Sequence, residues 1–284
     1  MRGNNMPRWL AILLALAVAQ LAFGKEVTLE MPNRLIARAD YQIGAADKPV
    51  VLILHGFLQT HDFHTAHNMA DGLHDLGYNV LAPTLTLGVP YRNQSLACEA
   101  IHGHSLEDDE AEIGVWLDWL EARHQGPIIL LGHSTGSVEL LAYLSQHRDP
   151  RIKKLIGASI IEGALTGGEQ VRSEMIADLK QRIGAKNNTP VSHQFSYCNR
   201  YTSTPKGLLS YLRWSPKRII VTAQAIATPI TFIMGGTDQR LATDWIAQLR
   251  KTGKKIRVIE GAGHFLDGQY EFDLLDVLGE EVRL

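Results

Sequence analysis

The chain has 284 residues, of which 45% are hydrophobic and 20% charged, with a formal net charge of -2. That near-neutral balance excludes a strong electrostatic case for nucleic acid, because no basic excess exists to neutralise phosphates. Normal apolar content with small net charge also excludes a disordered chain, and the length suits one large α/β domain.

The chain opens with a segment that reads as a targeting signal. Arg2 and Arg8 give it a positive start without any acid, and Trp9 to Ala19 is an unbroken apolar run. Ala22-Phe23-Gly24 then puts small residues where a signal peptidase reads. This order predicts a secretory signal peptide over residues 1–24 and a mature domain over 25–284, periplasmic or secreted. The other reading is an uncleaved anchor helix, against which the run falls short of the roughly 18–20 residues that span a bilayer. No later apolar run is long enough to span a membrane once the signal is removed.

In an oxidising compartment the only two cysteines, Cys98 and Cys198, permit one intramolecular bridge. The alternative is two separate buried thiols.

In the mature part, Val27 to Glu30 and Leu35 to Ile43 read as short strands broken by Pro32-Asn33. Val50 to Leu54 is a continuous apolar strand. A helix is expected over Ala66 to Leu76, ending at Gly77, then a strand over Tyr78 to Ala82. Residues 83–104 read as irregular. Ser105 opens a helix whose first turn collects Glu107, Asp108, Asp109 and Glu110, acids that suit the positive helix end. Ile113, Trp116, Leu117 and Leu120 make its apolar face.

Strands are expected over Pro127 to Leu131, Ile152 to Ile161, Ile230 to Met234 and Lys255 to Ile259. Helices are expected near Gly136 to His147, Thr243 to Lys251 and from Leu266 onward. Apolar strands bounded by Gly and Pro and separated by helical periods predict a mostly parallel sheet with helices on both faces. One segment breaks that rhythm. Residues 165–226 are far longer than a crossover needs, with helical pieces around Glu169 to Ile183 and Gly207 to Arg213 and a polar, turn-rich middle. They read as a cap over the carboxyl edge of the sheet, where ligand sites of α/β folds lie.

Three strand ends carry chemistry. Gly132-His133-Ser134-Thr135-Gly136 lies between a strand and a helix, the context in which G-x-S-x-G presents a nucleophilic serine. A serine is inert near neutral pH without a base, and Gly263-His264 follows the last strand. The base needs a carboxylate to orient it, for which Gly235-Gly236-Thr237-Asp238 supplies Asp238, with Glu162 as the alternative acid. Asp267 reads as a cap of the last helix. An oxyanion site needs two backbone donors. The N–H of Thr135 is one, and the N–H of Phe57, in His55-Gly56-Phe57 after a strand, is the other.

These four motifs together resemble the α/β-hydrolase superfamily, in its serine hydrolase (esterase- and lipase-like) branch. The resemblance covers nearly all of the mature chain except the cap. It implies an eight-stranded, mostly parallel sheet with a helical cap, no cofactor, and cleavage of a small-molecule carboxylic ester through an acyl-enzyme. An amidase or peptidase would use the same machinery, and a non-catalytic binding protein could share the fold. Ser137 stands where lipase relatives often have a second glycine. Tyr197, Tyr201, Tyr211 and Trp214 either line an acyl pocket or pack the cap onto the domain. His55, His61, His64 and His67 crowd one loop near Asp62, and His102 and His104 follow. Their spacing repeats no metal-ligand motif, so no metal is expected.

Overall fold

The computed structural model describes residues 24–163 and 168–284, so the expected leader lies, but for Gly24, outside the described residues. In chain order the elements are β1 (Lys25–Glu30), β2 (Ile36–Gln42), β3 (Val50–Leu54), α1 (His64–Asp75), β4 (Asn79–Thr84), β5 (Ile101–His102), α2 (Leu106–Glu121) and β6 (Ile128–His133). There follow α3 (Thr135–Gln146), β7 (Ile152–Ala158), α4 (Gly168–Gly184), β8 (Val191–Phe195), β9 (Cys198–Ser203), α5 (Pro205–Leu212) and α6 (Pro216–Ala225). The chain closes with β10 (Ile230–Gly235), α7 (Trp245–Arg250), β11 (Lys255–Ile259) and α8 (Glu271–Glu281).

Eight strands form one sheet in the order β1-β2-β4-β3-β6-β7-β10-β11. The pairs β1/β2 and β2/β4 are antiparallel, and every pair from β4 to β11 is parallel. This is the α/β-hydrolase fold that the motifs implied. Successive side chains of a strand face opposite sides of a sheet, and here both sides are covered. Leu52, Leu54 and Leu130 pack with Ile113, Trp116 and Leu141 on one face. Val51, Ile53, Ile129 and Leu131 pack with Met69, Leu73, Leu274 and Leu278 on the other. Parallel register brings the carboxyl ends of β3, β6, β10 and β11 to a single rim: Leu54 pairs with Gly132, and Gly235 with Ile259.

The helix α2 starts at a reciprocal cap. The Asp108 N–H donates to Ser105 Oγ at 3.3 Å, and the Ser105 N–H donates to the Asp108 carboxylate at 2.8 Å. Asp109 departs from the expected picture of an acid serving the helix end, and Glu112, one turn on, shares its setting. Both are fully buried.

Between β7 and β10 the chain builds α4, the hairpin β8/β9, α5 and α6. The polar middle expected to be irregular is the antiparallel hairpin, which adds β5 in parallel to make a second, three-stranded sheet. Sequence pattern hid it because only Phe195, Cys198, Tyr201 and Ser203 of its strands are buried. Cys98 and Cys198 are joined in a disulfide with Cα atoms 5.5 Å apart. The bond closes a loop of 100 residues and ties the segment before β5 to the cap.

Long loops gain most from closure in the chain-entropy account, up to roughly 4.7 kcal/mol for a loop of this size. The expected effect of Cys198→Ser is a loss of about 2–4 kcal/mol in urea unfolding, with the far-ultraviolet circular dichroism of the folded state retained. An unchanged unfolding midpoint would show that the cap is held without the bond.

Candidate active site

Ser134 occupies the junction of β6 and α3 with φ 55° and ψ -118°. Positive φ is uncommon for a residue with a Cβ and costs on the order of 1–3 kcal/mol. Neighbours hold it there. The Ser134 N–H donates to the Ala158 carbonyl at 2.8 Å, and Ser137 Oγ donates to the Gly132 carbonyl at 2.7 Å. A Cβ at position 132 would run into the Ser137 nitrogen, and one at 136 into the His55 carbonyl, so the glycines on either side are steric requirements.

His264 lies in the loop after β11, with Nε2 2.9 Å from Ser134 Oγ and Nδ1 2.7 Å from Asp238 Oδ2. A carboxylate at Nδ1 keeps the ring proton there and leaves Nε2 as the acceptor for the serine hydroxyl. Both side chains are buried, at 6% and 2% exposure. The two loops are stitched together. Thr237 N–H donates to the Ala262 carbonyl at 2.9 Å, and Thr237 Oγ1 donates to the Gly261 carbonyl at 2.9 Å. His133 supports the base from beneath, its Nε2–H donating to the His264 carbonyl at 3.1 Å. Burial, with His264 close by, pushes the His133 pKa down to about 3, so its ring is neutral.

The loop after β3 carries Phe57, whose N–H is the expected second donor. Among the described residues neither the Phe57 N–H nor the Thr135 N–H donates to a protein acceptor. His55 shapes this loop. Its Nδ1–H donates to the Gly56 carbonyl at 2.8 Å, while Nε2 accepts from the Leu85 N–H at 3.1 Å and from Arg92 Nη2 at 3.2 Å. Arg92, 3% exposed, also donates to the carbonyls of Leu85 and Leu58. Nothing in the local pattern marks this clamp, since Arg92 belongs to a stretch read as irregular.

A buried layer of acids lies within range of the Arg92 charge. Burial lowers the Arg92 pKa to about 10, opposed by Asp109, Glu112 and Glu139. Glu112 accepts from the Thr86 N–H and hydroxyl, and Asp109 accepts from the Tyr211 hydroxyl. Burial raises all three carboxyls, Glu139 to about 8 against the pull of Arg92.

A pocket of about 320 Å³ opens over Ser134, lined among others by Phe57, Gln59, Ile161, Tyr197 and Arg240. The four cap aromatics divide. Tyr197 lines the pocket, and its hydroxyl donates to the Phe57 carbonyl at 3.2 Å. Tyr201 does not line it: the ring is fully buried, stacked on His102 at 4.4 Å and on Phe195 at 5.1 Å. Trp214 is likewise absent from the pocket, 3% exposed in the core beneath the cap, with the Arg218 guanidinium 4.4 Å above its ring. Hairpin geometry decides this, because Tyr197 is at the turn and Tyr201 on the inward face of β9.

Glu162 lines the pocket without reaching His264, and its Oε1 accepts from the Ala242 N–H at 3.2 Å. Asp267 makes no side-chain cap and lies 3.2 Å from His64 Nε2 instead. His61 bonds Thr84, and His67 faces Asp71. Among the described residues no three such side chains gather in a metal-binding group.

A sequence family described by the α/β-hydrolase fold matches residues 49–174. No curated protein matches the chain. Several solved structures share its fold. The α/β hydrolase GrgF from Penicillium sp. sh18 is 14% identical over 91% of this chain and 96% of that one, with a TM-score of 0.69. A monoacylglycerol lipase from Paleococcus ferrophilus is 17% identical over 86% and 97%, with a TM-score of 0.64. Est1E from Butyrivibrio proteoclasticus is 17% identical over 90% and 95%, with a TM-score of 0.59. At these identities the likeness is one of fold.

The buried acids make stability pH-dependent. Glu139 has a folded pKa of about 8, above the ordinary 4.5, so it binds a proton more tightly folded than unfolded. Its contribution is full below the unfolded pKa and is lost as pH rises through the folded one. Thermal unfolding followed from about pH 6 to 9 is therefore expected to show a falling Tm, and Glu139→Gln to flatten the fall. Equal slopes in the two proteins would contradict the assignment.

Proposed function

We propose that this chain, which has the α/β-hydrolase fold, is an exported serine hydrolase that cleaves a carboxylic ester through an acyl-enzyme on Ser134. The observation that carries this reading is the unbroken hydrogen-bonded row from Ser134 Oγ through His264 to Asp238 at the floor of a pocket.

In the proposed reaction Ser134 Oγ attacks the acyl carbon as His264 Nε2 takes the hydroxyl proton. Asp238 stabilises the resulting imidazolium. The carbonyl oxygen gains the negative charge and is met by the N–H groups of Phe57 and Thr135. When the tetrahedral intermediate collapses, the ester C–O bond breaks and His264 returns its proton to the departing alkoxide. Water, deprotonated by His264, then releases the acid and restores the serine.

The ester preference leans on the monoacylglycerol lipase among the similar structures. A pocket at the small end of the ligand-site range suits a short acyl group. Export leans on the basic and apolar start of the chain and on the disulfide, a bond that persists in oxidising compartments. On this reading protein recovered from the exported fraction begins at Lys25.

Replacing Ser134 with Ala is expected to lower kcat/KM for p-nitrophenyl butyrate by at least about a thousandfold, with the circular dichroism spectrum unchanged. Retained esterase activity in that variant would overturn the mechanism.

A further inference from the structure

Arg240 stands two residues beyond Asp238 and lines the pocket over Ser134. Its backbone N–H donates to Asp238 Oδ1 at 2.9 Å, so the residue is fixed to the loop that carries the acid. The guanidinium carbon lies 4.8 Å from the centroid of Phe265 and 5.7 Å from that of Tyr197. Phe265 follows His264, and Tyr197 projects from the turn of the cap hairpin. Both rings line the same pocket. Cation–π contacts engage the flat faces of a guanidinium and leave its N–H edge available.

Among the described residues no carboxylate is within ion-pairing range of Arg240, and no acceptor takes a hydrogen bond from its guanidinium. The acid that shares the pocket is otherwise engaged. Glu162 accepts from the Ala242 N–H, and Arg172 is the cation whose charge acts on it. Apart from Ser134, His264 and His133, the remaining polar lining, Gln59, Ser196 and Gln239, is uncharged. The pocket that Ser134 lines is thus also lined by an exposed, unpaired fork of donors. A planar fork of this kind matches a carboxylate in bidentate fashion.

We propose that Arg240 binds a carboxylate on the substrate, so that the site selects esters bearing a negative charge a few bonds from the scissile carbonyl. This rests on the reading of Ser134 as the nucleophile. The small pocket limits the distance, which points to short monoesters of dicarboxylic acids or to esters of a small carboxylated alcohol or phenol.

The test compares kcat/KM for mono-p-nitrophenyl glutarate (charge on the acyl side), 4-carboxyphenyl butyrate (charge on the leaving side) and two neutral partners, p-nitrophenyl butyrate and phenyl butyrate. At least one charged ester is expected to exceed its neutral partner, and the preferred arm identifies the side that Arg240 reads. Arg240→Gln is expected to collapse the charged-to-neutral ratio by about tenfold or more, and Arg240→Lys to restore part of it. A ratio unmoved by Arg240→Gln would overturn the proposal while leaving the nucleophile intact. Calorimetry with monomethyl glutarate gives a second readout that needs no turnover. Binding at least about tenfold weaker in Arg240→Gln supports the proposal even if no ester in the panel is cleaved. Equal affinity, or no heat with either protein, overturns it.

Discussion

The positive-φ turn at Ser134 is the constraint on which the rest of the site depends. A serine adopts that backbone only where its surroundings leave no alternative. Here β6 lies at the centre of a sheet buried on both faces, and α3 packs back so closely that a side chain at position 132 would meet α3 and one at 136 would meet the end of β3. The bond from the Ser134 N–H to β7 fixes the remaining freedom. The hydroxyl is thereby lifted to the rim where parallel register has gathered three other strand ends, from β3, β10 and β11. Donor, carboxylate and imidazole come from segments spread over about 200 residues, from Phe57 to His264, yet each is only one loop away from the same edge.

Beneath the loop after β3, the proposed oxyanion loop, lies a second, hidden level of order. Arg92 grips the carbonyls of Leu58 and Leu85 and the ring of His55, and its charge is set against three buried carboxyls. Isolated buried charge is costly, and burial accordingly raises the pKa of all three acids. The stretch between β4 and α2 thus does three jobs: it delivers Arg92 to the oxyanion loop, Cys98 to the cap, and β5 to the small sheet. The cap is consequently tied to the loop that faces the nucleophile, with Tyr197 making a direct bond to the Phe57 carbonyl.

The central strands and the four motifs were legible in the sequence because each is a local pattern. Val50 to Leu54 is apolar throughout, and G-x-S-x-G declares its own turn. Such patterns also ordered Ser134, Asp238 and His264 along the chain, and the structure brings their side chains into hydrogen-bonding contact. What escaped was long-range. Arg92 had nothing local to separate it from a solvated arginine. The β8/β9 hairpin reads as polar because half of each strand faces solvent. Tyr197 and Tyr201 differ in role because the first is in the hairpin turn and the second on β9, and no spacing rule separates a ring at a turn from one on a strand. Asp267 has the residue type of a helix cap, but His64 is near enough to claim it.

The central claim is that one hydroxyl, set in this strained turn, acts as a nucleophile through His264. Peptide mass spectrometry after reaction with a fluorophosphonate tests it most directly, since the reagent needs an activated serine but no knowledge of the natural substrate. The expected result is a single phosphonylated peptide containing Ser134, absent when His264 is replaced by Ala. An adduct on a different residue, or no adduct in the folded protein, would contradict the account.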